Sequence, residues 1–179
     1  IIRGNKELGM DNLIYLDCDG VILNTMDTAY ANMKKMGLDI NDGDVVHEYF
    51  INVNWNNLIK QAGVLNDSID KIKFLRSLGY NFKILTTCVN KDEPEIKRNY
   101  FFNMLPCIEV ITVPWKVNKS SVVRARGNVL IDDSRHNITD WNEARGQGIL
   151  FNHNLSDSND EHINDLLCIP KVLLKENSF

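Results

Sequence analysis

Leu13-Ile14-Tyr15-Leu16-Asp17-Cys18-Asp19-Gly20-Val21 is the stretch on which the reading of this chain turns. Its four leading apolar residues make a short strand-like run bounded by polar residues. Two carboxylates at i and i+2 of an extended segment then point the same way, and Gly20 lets the backbone turn sharply. An open α/β sheet binds its ligands at the carboxyl ends of its strands, which is where such a run places Asp17 and Asp19. For this segment alone, an Asp-rich turn is the ordinary alternative. The rest of the chain decides between them.

Four further apolar runs continue the pattern: Phe82-Lys83-Ile84-Leu85, Ile108-Glu109-Val110-Ile111, Val129-Leu130-Ile131 and Gly148-Ile149-Leu150-Phe151. Each gives way at once to polar residues and a turn. Helical stretches alternate with them, which predicts an α/β fold with a mainly parallel central sheet flanked by helices. Thr25 to Met36 carries Met26, Ala29, Tyr30, Met33 and Met36 near helical spacing, and Asp44 to Ala62 reads as a second helical region with a break around Asn52 to Asn57. Asp67 to Leu78 puts Ile69, Ile72, Leu75 and Leu78 on one face and stops at Gly79. The last should pack on the sheet, and the first two predict a small helical cap inserted after the first strand. The expected division is a cap over 25–65 and a core made of 11–24 and 66–179. Ile1 to Met10 reads as a leader outside the fold, with Met10 as a candidate start. Asn154 to Glu161 reads as a polar loop, and Ile163 to Phe179 as a terminal helix plus a tail.

Composition narrows the class. With 179 residues the chain is long enough for one well-buried domain. A net charge of -4 and a pI near 5.5 give no general pull toward nucleic-acid backbones or anionic membranes. No apolar run approaches the roughly 20 residues of a membrane-spanning helix, and the leader lacks the apolar core of a signal peptide. Cys18, Cys88, Cys107 and Cys168 show no C-x-x-C pairing. Reduced thiols in a cytoplasm are the expectation.

The remaining strand ends carry chemistry too. After the second run come Thr86 and Thr87, hydroxyls able to hold a phosphoryl oxygen, although Thr is also common in strands. Lys116 and Lys119 come after the third run. Either could neutralise a carboxylate and a phosphate, and either could simply be a solvated loop lysine. After the fourth run stand Asp132-Asp133-Ser134. Adjacent acids repel, and a buried pair raises a pKa unless a cation resolves the conflict; magnesium, which prefers oxygen ligands, would do so. Helix capping would need only one of them.

In this order and placement, Asp-x-Asp-Gly, Thr, Lys and Asp-Asp resemble the four signature motifs of the haloacid dehalogenase-like (HAD) superfamily, over about Asn12 to Asn152. Within it, Leu130-Ile131-Asp132-Asp133-Ser134, Asn137, Trp141 and Gly146-Gln147-Gly148-Ile149-Leu150 resemble the 5'(3')-deoxyribonucleotidase branch and its phage-encoded relatives, as do Thr86-Thr87. Gln147, where a second consecutive glycine is common, and the cap depart from that branch. The resemblance implies a Rossmann-like core and a magnesium-dependent phosphatase. Asp17 would be the nucleophile, Asp19 the acid and base, Thr86 a phosphoryl-oxygen ligand and Lys119 the motif lysine, with Lys116 as runner-up. Mg2+ would be held by Asp17, the Asp19 carbonyl and Asp132, with Asp133 acting through water.

Thr87, Tyr49 and Trp55 are the candidate substrate contacts, the two rings offering a surface for base stacking; with Tyr30 and Phe50 they could equally form the small core of the cap. The substrate expected is a small phosphate ester, with a deoxynucleoside monophosphate the leading choice. A phosphotransferase or mutase, a polynucleotide end phosphatase and a non-catalytic scaffold stand as alternatives. A receiver domain, whose acid pair ends the first strand, fits the order of motifs less well.

Overall fold

The computed structural model of the chain describes residues 13–156 and 162–176. Six strands form one sheet: β1 (Ile14–Leu16), β2 (Phe82–Cys88), β3 (Val110–Pro114), β4 (Val129–Asp132), β5 (Gln147–Phe151) and β6 (His162–Ile163). Their order is β3-β2-β1-β4-β5-β6, and every pairing is parallel. The helices are α1 (Thr25–Lys35), α2 (Gly43–Asn52), α3 (Trp55–Ala62), α4 (Ser68–Ser77), α5 (Glu93–Met104), the single turn α6 (Lys119–Val122), α7 (Arg135–Glu143) and α8 (Ile169–Glu176).

Alternation along the strands explains the layers. Ile14, Leu16, Ile84 and Ile131 face one side, where Ile69, Ile72 and Leu75 of α4, Phe101 of α5 and Ile169 of α8 cover them. Tyr15, Leu85 and Leu130 face the other side and meet Trp141 of α7. A parallel sheet buried on both faces needs strands that are apolar in succession, and β1 and β4 are buried throughout.

Helices α1 to α3 lie between β1 and α4 and share a small core of their own, made by Ala29, Phe50, Trp55 and Leu58. The chain leaves and re-enters the sheet layer side by side: Asn24 N donates to Gly63 O at 3.2 Å, and Leu65 N to Ile22 O at 2.9 Å. The expected break in the second helical region falls at Val53-Asn54, where the Asn54 side chain accepts from Asn57 N and starts α3.

The C-terminal segment departs from the expected helix plus tail. His162–Ile163 adds β6 to the sheet edge, with Asn152 N bonded to Ile163 O at 2.9 Å, before the 3-10 turn Leu166–Cys168 and α8. A two-residue strand is too short to leave a period in a sequence. The expected leader lies outside the described residues, as do 157–161 of the expected polar loop and residues 177–179. Among the described residues, no helix is long and apolar enough to cross a membrane.

Candidate active site

The site forms where the strand order reverses. Neighbouring strands β1 and β4 pair Leu16 with Ile131, so Asp17 and Asp132 emerge together at the carboxyl edge; Asp17 N donates to Ile131 O at 2.9 Å. Crossovers leave this point in opposite directions, which opens a crevice there.

Between the two acids sits Lys119, almost wholly buried, its Nζ 2.8 Å from Asp17 Oδ1 and 2.6 Å from Asp132 Oδ2. Its flanking residues hold the turn in place. Asn118 Nδ2 donates to Asp140 Oδ1 of α7, and Ser120 Oγ donates to Asp140 Oδ2 at 2.6 Å. Lys116 is exposed and lies over the Trp115 ring, 4.5 Å from its centroid. Of the two candidate lysines, the structure brings Lys119 into the acid cluster.

Asp132 and Asp133 have different surroundings. Asp132 is fully buried and accepts from Ser134 N at 2.9 Å and from Asn137 Nδ2 at 3.0 and 3.1 Å, besides Lys119. Ser134, not an acid, caps α7 by accepting from Asn137 N at 3.4 Å. Asp133 keeps contact with solvent and makes no hydrogen bond among the described residues. Its carboxylate lies against Gly20: an ideal Cβ there would be 2.2 Å from Asp133 Oδ2, and φ at Gly20 is +76°. The Gly of Asp-x-Asp-Gly thus makes the turn and leaves room for the second acid pair.

Asp17, Asp132 and Asp133 each offer a carboxylate oxygen within 4.8 Å of the others. Burial pushes the Asp17 carboxyl up to about 7; Lys119 opposes this, and Asp132 and Asp19 reinforce it. The Asp133 carboxyl is pushed up to about 8, first by loss of hydration in the crowded cleft and then by repulsion from Asp17, Asp132 and Asp19. Three hard oxygen donors face one ammonium in this cluster. The residues present therefore fit a divalent cation of the magnesium type.

Asp19 belongs to a second cluster. Its Oδ1 accepts from Thr25 Oγ1 at 2.6 Å, and its Oδ2 accepts from Thr86 Oγ1 at 3.4 Å and from Lys97 Nζ. Lys97, on α5, is fully buried and reaches Glu93 Oε1 at 2.6 Å and Thr86 Oγ1 at 2.9 Å. Sequence reading missed Lys97 and Glu93. The signal that could have found them is a stripe at intervals of four, Glu93-Lys97-Phe101-Leu105, which places two charges in line with core residues.

A cavity of about 470 Å³ opens over both clusters. Asp17, Asp19, Thr87, Glu93 and Asp133 line it from the sheet side, Met26, Phe50 and Trp55 from the helical insertion, and Trp115, Lys116 and His136 lie around it. Thr86 is fully buried beneath, while Thr87 is on the wall. Trp55 also stacks on Phe50 within the small helical core. Tyr49 is not brought to the cavity; it lines a separate groove with Met36 and Leu38. His47 of α2 stacks on Trp115, with ring centroids 3.5 Å apart, and so joins the helical insertion to the loop after β3. A larger hollow of about 860 Å³ lies beside α7 and β5 and contains none of the five acids.

This topology recurs in known proteins. A protein of Bacillus subtilis assigned as a HAD-hydrolase, in a structure bound to magnesium, superposes with a TM-score of 0.59 over 90% of this chain and 98% of its own. The fold is that of the haloacid dehalogenase-like hydrolases. Identity to that protein is 12%. A HAD-superfamily hydrolase of subfamily IA from Geobacter sulfurreducens gives 0.59 at 13% identity, covering 92% and 97% of the two chains. A predicted phosphoglycolate phosphatase from Haemophilus somnus gives 0.55 at 13%, covering 92% and 98%. No protein-family model matches the sequence, and comparison with curated proteins finds no match. At such identities the likeness concerns the HAD fold, and the chemistry must be argued from the residues.

Proposed function

We propose that the chain is a magnesium-dependent phosphomonoester hydrolase working through an aspartyl-phosphate. The observation that carries this reading is the Asp17 carboxylate, held by Lys119 at the bottom of a cavity beside Asp133, with Asp19 two residues on. A carboxylate nucleophile splits one difficult displacement into two easier ones. In the first, an Asp17 oxygen bonds to phosphorus as the ester P–O bond breaks, and the departing alcohol oxygen takes a proton from Asp19. In the second, water attacks the phosphorus and gives its proton to Asp19, the Asp17–phosphorus bond breaks, and inorganic phosphate leaves.

Mg2+, when bound, would neutralise charge between the anionic nucleophile and the anionic phosphate. Asp17 and Asp133 would hold it with the Asp19 carbonyl. Asp133 suits direct ligation better than Asp132, whose oxygens Lys119, Asn137 and Ser134 N already engage. Thr87, on the wall, takes the contact with a phosphoryl oxygen, and Thr86 acts one layer deeper.

A cavity of this volume suits a small molecule. Phe50, Trp55 and Trp115 give it an aromatic side that favours a planar leaving group, which keeps a deoxynucleoside monophosphate as the leading substrate. The test is phosphate release from deoxy- and ribonucleoside monophosphates, sugar phosphates and 4-nitrophenyl phosphate, with Mg2+ and with a chelator. Metal-dependent release greatest on a deoxynucleotide supports both levels of the reading. Metal-dependent release on other esters keeps the chemistry and discards the nucleotide. No release from any ester by the folded protein overturns the phosphatase.

A further inference from the structure

Among the described residues two lysines are almost wholly inaccessible, Lys119 and Lys97. The proposed reaction uses the first and leaves the second without a task. If Lys97 served only to balance Glu93 within α5, that i,i+4 pair would need no acceptor from outside the helix. Instead the ammonium sits among four acceptors: Asp19 Oδ2, Glu93 Oε1 at 2.6 Å, Thr86 Oγ1 at 2.9 Å and Thr87 O at 3.3 Å. These come from the loop after β1, from α5 and from β2. Glu93 is itself fixed, since its Oε2 accepts from Val89 N at 2.7 Å. The Trp55 ring closes the far side, its centroid 4.7 Å from Nζ. Burial alone works against charge on Lys97, and the neighbouring negative groups, Asp19 foremost, outweigh it.

We infer that Lys97 is a positioning residue for proton transfer: it fixes the direction of the Asp19 carboxylate and of the Thr86 hydroxyl without touching the substrate. Asp19 and Thr87 line the cavity, whereas Lys97 stands behind them. Thr25 Oγ1 holds the other Asp19 oxygen at 2.6 Å, so the carboxylate is clamped from α1, α5 and β2 together. The inference rests on the phosphatase reading and adds to it the group that orients its acid.

Leaving groups separate this role from a merely structural one. A 4-nitrophenolate departs without needing a proton, whereas an alkoxide needs one from Asp19. The experiment measures kcat/KM, which reports the steps up to alcohol release, for 4-nitrophenyl phosphate and for an alkyl phosphate with Mg2+. The wild type, Lys97→Met, Asp19→Asn and the double variant are compared. Lys97→Met is expected to lose about 100-fold on the alkyl ester and less than about tenfold on 4-nitrophenyl phosphate. In the Asp19→Asn background the same change should remove less than about threefold more, because its effect passes through Asp19.

Equal losses on the two esters, or the same factor in both backgrounds, would overturn the positioning role while leaving the phosphatase standing. A wild type that turns over neither ester overturns the phosphatase and this inference with it. Where Lys97→Met does not fold, Lys97→Gln, which keeps a donor and most of the side chain's length, enters the same comparison.

Discussion

Two buried lysines divide the floor of this site, and their surroundings differ in charge. Lys119 faces an excess of acid: it pairs with Asp17 and Asp132 while Asp133 stands beside them without a partner among the described residues. Lys97 faces Asp19 and Glu93, and the Thr86 hydroxyl and the Thr87 carbonyl complete its surroundings, while Thr25 holds the other oxygen of Asp19. The three carboxylates of the first cluster fit a divalent cation, whereas the second cluster closes around its own ammonium. On the proposed reading, one side of Asp-x-Asp-Gly would prepare the nucleophile and the other would orient the proton donor.

Breaking each cluster in turn should expose this difference. Lys119→Met leaves buried carboxylates uncompensated and is expected to destabilise the fold by about 3–5 kcal/mol and to abolish turnover. In denaturant melts, Mg2+ should restore part of that stability, because it can take the place of the lost charge. Lys97→Met should also destabilise, but Mg2+ should restore none of the loss. Equal restoration in both variants would erase the distinction. Asp133→Asn is the next largest effect: by calorimetric titration, Mg2+ affinity should fall at least about tenfold with the loss of an anionic oxygen ligand, while Asp132→Asn acts mainly on stability.

Proton linkage gives a smaller, graded effect. Asp17 and Asp133 hold their protons in the folded chain up to about 7 and about 8, above the ordinary carboxylate range of the unfolded chain. Without a cation, the stability they contribute is present below that ordinary range and is lost as pH rises through about 7 and about 8. The metal-free protein should therefore melt lower at pH 8 than at pH 5, with Mg2+ closing the gap, because cation binding requires the same protons to leave. A Tm that rises over this interval without metal would contradict the charge assignment. Smallest of all, Tyr49→Ala should leave kcat/KM within about twofold, whereas Trp55→Ala should raise KM, as their separate placements require.

Much of this was legible from the chain because strand ends advertise themselves. Asp17, Asp19, Asp132 and Asp133 come directly after apolar runs, and parallel pairing then brings those ends together without further information. Lys119 could be told from Lys116 only by the family resemblance; the structure adds the reason, since Asp140 anchors the residues on either side of Lys119. Lys97 was hidden because a lysine within a helix ordinarily lies on a solvated face, and only its place in the stripe through Phe101 says otherwise. Tyr49 shows the converse limit. Successive residues on a helix turn by about 100°, so Phe50 enters the small core while its neighbour looks onto another groove. Strand β6 was illegible because two residues carry no period.

The most direct test of the central claim is the rate of phosphate release by Asp17→Asn beside the wild type, with Mg2+ and the best ester found for the wild type. The substitution keeps size and shape while removing the nucleophilic oxygen, so the account predicts a loss of at least about 1000-fold with the fold retained. A folded Asp17→Asn protein that releases phosphate at a near-normal rate would contradict it.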